Sequence, residues 1–71
     1  MKKQAAEDIC RMVEEVIKQM QILNNYVLAN CEHAEIKRIA PAVALCVGEL
    51  DTEILVPIHR EYPGLKPTFL P

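Results

Sequence analysis

From Ile9 onward the apolar residues fall at Ile9, Val13, Val16, Met20, Leu23 and Val27, in alternating steps of four and three. That spacing is the seam of an amphipathic α-helix. Met12, Ile17 and Tyr26 widen the stripe past a narrow coiled-coil line, toward the broad face of a bundle helix. Glu7, Asp8, Arg11, Glu14, Glu15, Lys18 and Gln21 occupy the other side, and the pairs Glu7–Arg11 and Glu14–Lys18 stand i to i+4 in the favourable order. The spacing predicts a first helix over about 5–29.

The pattern stops near Asn30. LANCEHAE supplies a helix stop and a fresh start, with Glu32 and Glu35 in the next first turn. So short a turn makes the two helices antiparallel neighbours. A second seam runs Ile36, Ala40, Val43, Val47, Leu50 and Ile54, predicting a helix over about 32–56. Pro41 falls inside it, where a proline removes a backbone hydrogen bond. Ala40 is a poor N-cap and the seam continues in phase, so the expectation is one kinked helix. Past Pro57, IHREY reads as a last turn or short third helix, stopped by Pro63-Gly64. The predicted fold is an all-α antiparallel helical hairpin.

The stretch APAVALCVG, residues 40–48, carries no charge and is apolar all round. Such a helix needs cover on every side, and one partner helix cannot provide it. Ala40, Ala44 and Gly48 recur every fourth residue, so another backbone could approach closely there. A chain of 71 residues has a marginal core. These features predict a homodimer, a four-helix bundle around a two-fold axis with Ala40, Ala44, Leu45, Val47 and Gly48 at the interface. An unidentified protein partner would meet the same need.

The chain divides into a helical hairpin, 1–62, and a proline-punctuated tail, 63–71. Prolines bar regular helix from the tail, yet Leu65, Phe69 and Leu70 are too apolar for a typical disordered terminus. They are expected to dock on the bundle. His59, Arg60 and Tyr62 form a polar cluster with no pocket to hold it, and are candidates for a partner-binding surface.

Several chemistries find no residues here. There is no serine, and the two glycines, Gly48 and Gly64, cannot build a phosphate-cradling loop. Cys10, Cys31 and Cys46 are odd in number and lack a CxxC, which argues for reduced thiols in a cytoplasmic setting. Along the helices Cys10 lies about 31 Å and Cys46 about 22 Å from Cys31, too far to share a metal with one another. No Glu-x-x-His pair is present for a carboxylate-bridged site. No catalysis, metal or cofactor is therefore expected. The longest uncharged run, 39–48, is far short of the ~20 residues that span a bilayer.

The net charge of −2 gives no drive toward a polyanion. In architecture alone, the predicted dimer resembles the Rop-type four-helix bundle, which implies an alternative role in RNA binding. Its phosphate contacts would have to come from Lys2, Lys3, Arg11, Lys18, Lys37 and Arg38, several of them matched by acids one turn away.

Overall fold

The computed structural model describes residues 1–65, and all its regular structure is helical. α1 spans Lys3–Asn30, α2 spans His33–Leu50, a π-helical turn spans Asp51–Leu55, and α3 spans Val56–Glu61. A 3₁₀ turn over Pro63–Leu65 follows.

The reversal between α1 and α2 takes only Cys31 and Glu32. At its near side the Cys31 N–H donates to the Val27 carbonyl at 3.0 Å, and Asn30 Nδ2 donates to the Tyr26 carbonyl at 2.9 Å. At its far side the Glu32 N–H donates to Glu35 Oε1 at 3.0 Å, in a capping box that also sets a carboxylate at the positive end of α2. α2 then continues unbroken through Pro41. On the surface of α1, Arg11 and Lys18 pair with Asp8 and Glu15, at 3.4 and 3.6 Å, instead of with the expected Glu7 and Glu14.

Pro57 explains the π turn. In a regular α-helix its ring would press on the Glu53 carbonyl, and no N–H would reach that oxygen. Widening the preceding turn removes the conflict: the Val56 N–H reaches back five residues to the Asp51 carbonyl. The extra residue rotates everything after it by about a quarter turn. The second seam therefore runs Val43, Val47, Leu50 and then, by a step of five, Leu55, Ile58 and Tyr62. Leu55 and Ile58 are buried while Ile54 is only half-buried, which corrects the expectation that Ile54 carries the seam onward.

The core consequently sits at the end remote from the reversal. Ala6, Cys10 and Val13 of α1 meet Leu55 and Ile58, with Ile9, Ile17, Leu50, Ile54, Tyr62 and Leu65 packed around them. Val27 and Val43 are buried outside this cluster.

Candidate interaction surface

The α1 seam does not go under α2 whole. Val13 and Val27 are buried and Ile9 and Met20 half-buried, but Val16 and Leu23 remain 47% and 44% exposed. Cys10 and Ala6, outside the expected seam, are buried in their place. A stripe this wide exceeds what one helix can cover, and α2 sits toward one edge of it.

Two flanks of the hairpin result. On one, an open groove of about 1000 Å³ runs between the helices. Its α2 wall is Ala40, Ala44, Val47 and Gly48; its α1 wall is Ile17, Gln21, Asn24 and Asn25; Asp51 closes one end. The small residues make the groove, since a hydrogen or a methyl stands where a longer side chain would reach across. Four of the five residues expected at a dimer interface thus share one wall. Leu45 does not join them: it is 67% exposed on the outer side of α2, in a shallow depression with Cys46, Glu49, Leu50, Glu53 and Ile54.

On the opposite flank lie some of the exposed apolar residues of α1, while Ile22 and Leu28 point well away from it. At about 100° per residue, Met12, Val16 and Leu23 lie within roughly 40° of one another, and so do Ile39, Cys46 and Leu50 on α2. This flank lies on the side of each helix away from the groove.

The remaining expected site residues lie at the core end. Leu65 is half-buried against the core cluster, whereas Phe69 and Leu70 lie outside the described residues. Arg60 is exposed. Tyr62 is half-buried and packs on the cluster, and its hydroxyl donates to the Met1 carbonyl. Desolvation, then the negative charge of Glu61, raise the Tyr62 phenol above its ordinary value. His59 is half-buried, with its Nε2 inaccessible and without a hydrogen-bond partner among the described residues. Tyr62 and His59 are thus set partly into the protein.

The three thiols stand apart in the fold: Cys10 buried, Cys31 half-buried at the reversal, Cys46 exposed. Burial foremost, and the negative charge of Glu14, raise Cys10 above the usual thiol value. Because the thiolate is the reactive form, Cys10 is expected to alkylate at least ~10-fold more slowly in the native protein than in the urea-unfolded chain, at a pH near the ordinary thiol value. Peptide mapping by mass spectrometry reads this directly.

Gly48 offers a second check. A Cβ built there meets nothing within 4 Å, and its φ is not positive. Gly48→Ala should therefore stabilise the helix by about 0.5–1 kcal/mol in urea denaturation. Destabilisation would mean that a second backbone is seated in the groove.

Among the described residues no helix is long and apolar enough to cross a membrane, and no three His, Cys, Asp or Glu side chains are grouped to hold a metal ion. Comparison of the chain with protein-family models, with curated proteins and with solved structures gives no match.

Proposed function

We propose that the chain is a small non-catalytic interaction or regulatory protein, acting in the cytoplasm as a homodimeric helical bundle. One observation carries this reading: among the described residues none of the large side chains is fully buried, while Met12, Val16, Ile22, Leu23, Tyr26, Leu28 and Leu45 are exposed. A two-layer hairpin has no third layer to hide its outer apolar surface, and a second copy supplies one. The three free cysteines accord with a reducing compartment.

Light scattering over a concentration series from low micromolar upward tests the proposal. The expected mass is twice the 8.0 kDa chain. A folded monomer throughout the range would overturn it. The Rop-type RNA-binding alternative has less support, because Arg11 and Lys18 already pair with neighbouring acids.

A further inference from the structure

We infer that residues 66–71 dock on their own chain beside the π turn, with Phe69 and Leu70 seated over Ile9, Ile54 and Pro57 and Lys66 set against the carboxylates of Glu53 and Glu61. One chain suffices for this, so it stands or falls apart from the homodimer reading.

The position of Leu65 limits where the next six residues can go. Its N–H donates to the Tyr62 carbonyl at 3.0 Å, so Leu65 lies one turn past the end of α3. There the Glu61 carboxylate stands 4.0 Å from the Met1 amino group, and the Tyr62 hydroxyl donates to the Met1 carbonyl. Met1 and Glu61, with Glu53 and Pro57, are exposed around a depression of about 240 Å³ that opens over Ile9, Ile54 and Ile58. Phe69 is the fourth residue past Leu65 and reaches about 14 Å at full extension. The depression falls inside that reach. The apolar wall of the open groove, from Gly48 back to Ala40, lies roughly 20–30 Å from Glu61 along the helix, outside it.

The chemistry of the two sides is complementary. The segment KPTFLP brings one cation and two large apolar side chains. The depression offers apolar ground flanked by two carboxylates. Among the described residues Glu53 pairs with no cation, and Glu61 meets only the Met1 amino group. An ion pair at an exposed site contributes little, so Lys66 orients the segment while removal of Phe69 and Leu70 from water drives the docking. Pro67 and Pro71 enter with φ already fixed, which lowers the entropy lost on ordering.

Phe69 is the only phenylalanine of the chain, so its ring is a native reporter. In NMR of the full chain, NOEs are expected from the Phe69 ring to the methyls of Ile54 and Ile9. Those methyls should be shifted upfield by the ring and return in Phe69→Ala. Glu53→Lys/Glu61→Lys, at two exposed positions, should move the Ile54 methyl part of the way back; no movement would overturn the Lys66 contact. Mixing isotope-labelled with unlabelled chain should leave the NOEs within single copies. Circular dichroism checks that each variant folds, and if one does not, the wild-type NOEs decide. A Phe69 ring that meets only its sequence neighbours, or Ile17 and Val47 in the groove, or only a second copy, would overturn the inference.

Discussion

Leu55→Ala is expected to destabilise the protein by about 2–4 kcal/mol, whereas Ile54→Ala costs less than about 1.5 kcal/mol. Leu55 is buried in the core cluster and Ile54 packs against it half-buried. Removing three carbons from the buried site forfeits their transfer free energy and leaves a cavity; at the half-exposed site water fills much of the space. The total stability of a chain this size is on the order of 4–10 kcal/mol, so the first substitution takes a large share of it. Urea denaturation of the two variants, with the wild type alongside and protein concentration held fixed, gives the ranking. The order carries more than the sizes. An uninterrupted α-helix would turn Ile54 inward and Leu55 away, so a larger loss at Ile54 would mean that the π turn is absent in solution.

That one-residue shift marks the limit of what the chain discloses in one dimension. Both helices and the reversal at Cys31–Glu32 were legible, because each has a local cause in seam period or capping carboxylates, although α2 ends at Leu50 instead of near 56 and the short last helix, Val56–Glu61, includes Pro57 instead of following it. The shift was not. Ile54, Leu55, Val56 and Ile58 are all apolar, so either phase offers the core a suitable side chain, and only Pro57 favours the wider turn. Val16 and Leu23 failed for a different reason. They belong to a genuine helical seam, but a stripe wider than its partner leaves one edge in water, and which edge depends on how the helices are rotated. The site follows the same logic. Ala40, Ala44 and Gly48 could be read from their spacing, since they share one helix. Their opposite wall of Gln21, Asn24 and Asn25 could not, since it exists only once the two helices have been set against each other.

The tightest position in the fold is Ala6, which is 0% exposed at the meeting of α1 with Leu55 and Ile58. Its neighbour Ala5 points to solvent. Ala6→Leu should cost about 1–3 kcal/mol by overpacking, while Ala5→Leu should change stability by no more than about 0.5 kcal/mol. The strain has an outlet. α3 is only six residues long, and it is tied to the rest through Ile58, Tyr62 and Leu65. The α1–α2 hairpin has further buried contacts at Val27 and Val43 that Ala6 does not touch. Ala6→Leu is therefore expected to detach the segment from Leu55 to Leu65 as a unit before the hairpin melts, a local opening rather than a uniform loosening. Amide exchange tells these apart. Faster exchange confined to 55–65 and to the first turns of α1 would fit a separately held C-terminal clasp, and equal acceleration through Val27 and Val43 would show that the clasp and the hairpin fold as one.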